Sequence, residues 1–121
     1  MTKSSVFLYR TRSVTIHGTT YTIGSVVALA SDTLPVFGQI LNILMVDVDD
    51  PYFVCEIFHT EDFDTHLHAY VVSTHLPVHI TLYKQAQLMD HHTLGLYKLC
   101  LYDDTVPTYY IVPKYVFAND M

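Results

Sequence analysis

Two histidines, His66 and His68, stand two residues apart in "THLHAY", and five of the chain's eight histidines fall between Phe58 and His79. On an extended strand, residues i and i+2 share a face, so both imidazoles could reach one ion. His59 and His75 are the nearest candidates to complete a ligand set, with His79 and the carboxylates Glu61, Asp62 and Asp64 close by. Imidazole with carboxylate suits zinc or another divalent transition metal. The segment does start like the His-x-His of cupins, but neither the following glutamate nor the flanking glycines are present. Read as an ordinary strand or turn instead, Thr65, His66 and His68 mark the solvent side, and Leu67 and Tyr70 fill the core.

A second chemistry lies in the ten tyrosines, which occur without a single tryptophan. Tyr52 and Tyr70 are candidates for an aromatic site for a cation. Asp47, Asp49 and Asp50 in one acidic turn, and Glu61, Asp62 and Asp64 in another, are candidates for the accompanying carboxylates. Tyrosine is also the usual amphipathic residue of half-buried strands, which gives the same residues a purely structural role. Catalytic constellations are lacking: no serine has a nucleophile-elbow context, and no glycine-rich phosphate loop can be drawn from four glycines. "DHH" at Asp90–His92 reads as a polar turn or as a carboxylate-oriented imidazole. A non-enzymatic role is expected.

The elements that must carry these residues are strands. "SVTIHGTTYTIGSVVALA" gives two β segments about the turn His17-Gly18-Thr19, with Gly24 as a bulge or bend. "SDTLP" and "DVDDP" are turns, "VFGQILNILMV" is a long apolar strand with a bend at Gly38, and "YFVCEIFHT" is its hairpin partner. "EDFD" is expected to turn, "THLHAYVVS" to form a strand, and Gly95 to end a short helix or turn after "DHHTL". "HITLYK" and "LYKLCLY" continue as strands, with one short helical turn near Gln85 to His92. "DDTVP" is a turn and "TYYIVPKYVF" a last strand with an edge at Pro113. The expectation is one domain, residues 1–121, an all-β antiparallel barrel of about seven strands, with residues 1–12 a flexible arm or a first strand.

"YTIGSVVAL" followed by "GQILNI" resembles the bromo-adjacent homology (BAH) domain and related SH3-like barrels. There an aromatic-x-hydrophobic-Gly-Asp-x-Val segment precedes a Gly-x-Ile-x-x-Ile strand. Ser25 stands here in place of the aspartate. That resemblance implies a small SH3-like, BAH-like barrel and, as in some of its members, an aromatic pocket for a modified lysine. "LPVFGQI" and "FDTHLHAY" also look like uncharacterised domains of animal proteins derived from transposable elements, a likeness that implies no activity.

Charge narrows the partner. Twelve Asp and Glu against six Lys and Arg give a net charge of −6, and the bases are scattered at Lys3, Arg10, Arg12, Lys84, Lys98 and Lys114. Phosphate binding needs clustered cations, so a nucleic-acid partner on a basic face is not expected. A basic protein or peptide is. No apolar window has the length of a membrane span, and residues 1–12 have no signal-like apolar core. Cys55 and Cys100 sit in apolar runs, as buried thiols of an intracellular, even nuclear, protein would; pairing between neighbouring strands is the alternative. The leading expectation is a non-catalytic binding module without a cofactor. A metal protein built on His66 and His68, and a domain that self-assembles into a dimer through a sheet edge, are the two alternatives.

Overall fold

The computed structural model describes residues 8–47, 50–99 and 107–113. Val26, Val27, Ala28 and Leu29 are all buried. Successive strand residues face opposite sides, so an uninterrupted apolar run requires cover on both faces. The fold supplies two cores. Val26 and Ala28 pack with Phe37, Phe58, Tyr70, Val72, Leu94 and Ile111. Val27 and Leu29 join Tyr21, Ile40, Ile43, Met45, Phe53, Cys55, Ile57 and Leu88 on the other side.

The described residues form ten strands: β1 (Tyr9–Thr11), β2 (Ser13–Ile16), β3 (Thr19–Thr22), β4 (Val26–Ser31), β5 (Pro35–Asp47), β6 (Asp50–Asp64), β7 (Ala69–Thr74), β8 (Ile80–Lys84), β9 (Thr93–Leu99) and β10 (Thr108–Val112). All pairings are antiparallel. The order β5-β4-β9-β10-β7-β6 returns to β5 through the β5–β6 pairing, so six strands close a ring. Each of those six strands contributes to the first core, which fills the ring.

The hairpin of β5 and β6 outruns the ring. β5 pairs with β4 over Pro35–Gln39 and then with β1 over Ile43–Met45. β6 pairs with β8 over Tyr52–Glu56 and with β7 over Phe58–Asp64. A register shift at Leu41 marks the handover on β5, as a bulge that bends a strand does; on β6 the handover falls at Ile57, and the shift at Glu61 lies within the β6–β7 pairing. The result beyond the ring is a four-stranded sheet, β1-β5-β6-β8, whose inner face lies on the second core. The β2–β3 hairpin packs Val14 and Ile16 against that core, and a single 3₁₀ turn, Gln85–Gln87, leads into Leu88 beside it.

Several expectations hold in detail. The β2–β3 turn is His17-Gly18, with φ of 49° at His17 and 85° at Gly18. A two-residue hairpin turn demands two such positive angles. The SDTLP turn, the β5–β6 hairpin and the helical turn at Gln85 are present. β1 makes residues 9–11 a first strand. Gly24, at φ 98°, makes the sharp bend between β3 and β4. Three local readings are corrected. "EDFD" is the end of β6, and the turn is Thr65–His68 instead. Gly95 is inside β9 and ends no helix. The irregularity of β5 falls at Leu41 and not at Gly38, which is a point of close approach: an added Cβ would lie 2.8 Å from Leu29 Cδ1 and 3.1 Å from the Glu56 carbonyl oxygen. The DDTVP turn and Lys114–Phe117 lie outside the described residues.

Candidate protein-docking surface

The outer face of the β1-β5-β6-β8 sheet can be read from its register. Arg10, Leu44, Tyr52 and Lys84 form one cross-strand row, Asn42, Val54 and Leu82 the next, and Gln39, Glu56 and Ile80 the third. Leu44, Val54, Leu82 and Ile80 make an apolar band across the face that reaches the β8 edge, flanked by Arg10 and Lys84 on one side and by Gln39 and Glu56 on the other. Ile80 and Leu82 are each 52% exposed, Val78 51% and Leu76 92%. Four apolar side chains at every second position thus remain in solvent.

β8 also ends the sheet. Among the described residues no strand pairs with its far side. The Ile57 N–H donates to the His79 carbonyl at 2.8 Å, which makes His79 and Ile57 a hydrogen-bonded pair. Such pairs alternate along an antiparallel ladder, so Ile80 and Leu82 direct their own N–H and C=O groups outward. Lys84 does likewise, but its N–H is taken by Gln87 Oε1 at 2.7 Å. Proteins usually guard an exposed edge with charge, proline or a bulge. From Val78 to Tyr83 this edge has no Asp, Glu, Lys or Arg and a regular register.

The same face runs onto the mouth of the ring. There Gln39, Glu56, Phe58, Val72, Ser73, Thr74, Leu96 and Tyr109 line a cavity of about 190 Å³. Its floor is aliphatic and aromatic, and its rim offers one carboxylate and a few neutral polar groups. Sequence reasoning missed Glu56 and the β8 stripe, and it singled out Tyr52 and Tyr70 where the cavity has Tyr109. The alternation Leu76, Val78, Ile80, Leu82 was the available signal, but alternation alone does not reveal which face is covered.

The expected aromatic–acidic site does not assemble. Tyr52 and Asp50 do meet, but they enclose the chain's own Lys84: Nζ is 3.2 Å from Asp50 Oδ1 and 5.1 Å from the Tyr52 ring centre. Hydrogen bonding to Asp50, and secondarily to Tyr52, holds the Lys84 ammonium above the usual lysine range. Asp47 is the backbone register partner of Asp50 across the hairpin, and Asp49 lies outside the described residues. Tyr70, 2% exposed, is a core residue packed on Phe63 and Phe37 at ring-centre distances of 4.9 and 5.3 Å. Glu61, Asp62 and Asp64 belong to the opposite end of β6 from Asp50. At a rise of about 3.3 Å per residue, the strand path between the two groups is roughly 40 Å. The two acidic groups therefore do not build one compact site.

The His-x-His reading is also corrected. His66 and His68 are on the turn after β6, where Asp64 Oδ1 accepts hydrogen bonds from the His66 and Leu67 N–H groups at 2.9 and 3.1 Å. His68 has φ 52° and sets its ring 6.3 Å from that of Phe63. The strand geometry that would align two imidazoles is thus absent. His59 and His75 come together elsewhere, 5.8 Å between ring centres, with His79 5.9 Å beyond His75. Among the described residues no three His, Cys, Asp or Glu side chains are arranged to hold a metal ion.

Of the remaining candidates, Asp90 orients the exposed His92: its Oδ1 is 2.8 Å from Nδ1 and accepts the His92 N–H at 2.9 Å. This is a capped turn at the start of β9, close to where the Tyr21 hydroxyl donates to the His91 carbonyl at 2.5 Å. Cys55 is a free, buried thiol in the second core, and burial pushes its pKa up to about 12. That is far from a nucleophile's range. Among the described residues no helix is long and apolar enough to cross a membrane. Comparison of the chain with protein-family models, with curated proteins and with solved structures finds no match.

Proposed function

We propose that this chain is a non-catalytic interaction module that accepts an extended, basic protein segment along β8, within an intracellular or nuclear assembly. The observation that carries the reading is the open β8 edge. It combines outward N–H and C=O groups at Ile80 and Leu82 with apolar side chains left in solvent on alternate residues. Strand addition uses both features: main-chain hydrogen bonds give affinity, and alternate side chains give selectivity. The net charge of −6 favours a basic segment. The buried free thiol of Cys55 fits a reducing compartment.

The test is fluorescence anisotropy with ten-residue peptides that alternate valine with lysine or valine with glutamate. The lysine peptide should bind with a Kd near micromolar, about −8 kcal/mol, and the glutamate peptide at least tenfold more weakly. Leu82→Lys, which places a charge on the edge, should abolish binding. Equal binding by Leu82→Lys and wild type, or no binding of either peptide below millimolar, would sink the reading. Sedimentation of the protein alone addresses self-assembly. A concentration-dependent doubling of mass that Leu82→Lys removes would give the edge to a second copy.

A further inference from the structure

We infer that the cavity at the mouth of the ring is a socket for one cationic side chain, lysine or arginine, with Glu56 as its counter-ion. This deepens the proposed function and rests on it for the source of the side chain, but the socket itself is argued from its own lining. Phe58, Val72 and Leu96 make an apolar floor, Tyr109 supplies an aromatic wall that is 38% exposed, and Gln39, Glu56, Ser73 and Thr74 form the rim.

Three side-chain classes can be weighed against that lining. An acidic group would face the Glu56 carboxylate. A purely apolar group would match the floor but would strip water from the carboxylate without replacing its hydrogen bonds, a cost that grows with burial. Lysine and arginine have an aliphatic stem under a charged head, so they satisfy floor and rim together. The Tyr109 ring adds cation–π attraction, which persists at a partly exposed site. The cavity, about 190 Å³ and open to solvent, has room for the end of one long side chain.

No basic side chain among the described residues occupies that role. Among the described residues Lys84 pairs with Asp50 and the His92 ring with Asp90, and neither contact involves Glu56. Lys98 is the cross-strand neighbour of Tyr109 but does not line the cavity. Glu56 is in register with Ile80. A strand added to β8 would lie two strand spacings from β6, about 10 Å. That gap is within the combined reach of a lysine and a glutamate side chain. The socket would thus select where the segment's cation falls relative to the β8 stripe.

The experiment titrates Nα-acetyl-lysine methylamide, its arginine counterpart and the uncharged norleucine counterpart into ¹⁵N-labelled protein, followed amide by amide. The cationic compounds should produce saturable shifts at Glu56, Ser73, Thr74, Leu96 and Tyr109 in the tens of millimolar. Norleucine should bind at least fivefold more weakly, and Glu56→Gln, whose fold the same spectrum checks, should remove the preference. Equal binding of norleucine, or shifts that map elsewhere, would overturn the socket. So would the lack of any saturable shift up to roughly 100 mM, a binding free energy of only about −1.4 kcal/mol. These probes have no strand to add, so the β8 amides should stay still. The outcome here and the peptide result with Leu82→Lys therefore fail independently.

Discussion

Gly38 shows how one missing side chain lets three strands close on the second core. Its Cα faces Leu29 and Cys55 across three adjacent strands, and a methyl group there would meet Leu29 at 2.8 Å and the Glu56 backbone at 3.1 Å. The leucine tip can yield, but the backbone cannot without moving β6. Gly38→Ala is therefore expected to destabilise by about 1 to 3 kcal/mol, read by urea denaturation. Cys55 gives a pH prediction. Its thiol pKa rises from 9.0 to about 12 in the fold, so the native state holds that proton more tightly than the unfolded chain. Its contribution is complete below pH 9 and is lost as pH climbs towards 12, with a limiting slope of about 1.4 kcal/mol per unit. Cys55→Ala should flatten that alkaline decline at the cost of some packing, and denaturation at pH 8, 9 and 10 checks it. At this scale the sequence was legible for chemistry but not for direction. Tyr52 and Tyr70 look alike as letters, yet one caps Lys84 and the other is core. Which neighbour a tyrosine meets depends on pairings dozens of residues away.

Strands were legible as elements wherever alternation and turn chemistry agreed, as in β2, β3, β5, β8 and β10. The failures cluster at the end of β6. "EDFD" has the composition of a turn, but Phe63 is drawn into the ring core and holds the acids in strand. Tertiary burial there overrides propensity. The turn then falls on Thr65–His68, tied by Asp64. Asp64→Ala should cost about 1 kcal/mol by leaving two N–H groups without their acceptor, and a thermal melt should show it with peptide binding unchanged. On β8 the reverse pattern is expected. Leu82→Lys alters a residue that is half in solvent. Stability should therefore change by no more than about 0.5 kcal/mol while peptide binding is lost. That separation of stability from binding is what distinguishes a docking strand from a structural one.

The molecule as a whole is a ring closed at uneven strength. β5 and β6 pair along most of their lengths, whereas β4 meets β9 at only two residue pairs, Val26–Leu94 and Val27–Thr93. An all-β antiparallel fold was readable from strand spacing, but the ring was not, because closure depends on β4 finding β9 across more than sixty residues. The candidate surface was illegible for the same reason: the β8 stripe is ordinary alternation until the sheet order leaves it uncovered. The central claim is that this edge accepts another strand, and amide-resolved hydrogen exchange tests it most directly. In the free protein the Ile80 and Leu82 amides should exchange quickly, since their N–H groups point to solvent. Saturation with the valine–lysine peptide should slow both at least tenfold. Amides already slow in the free protein, or still fast in the saturated complex, would contradict the account.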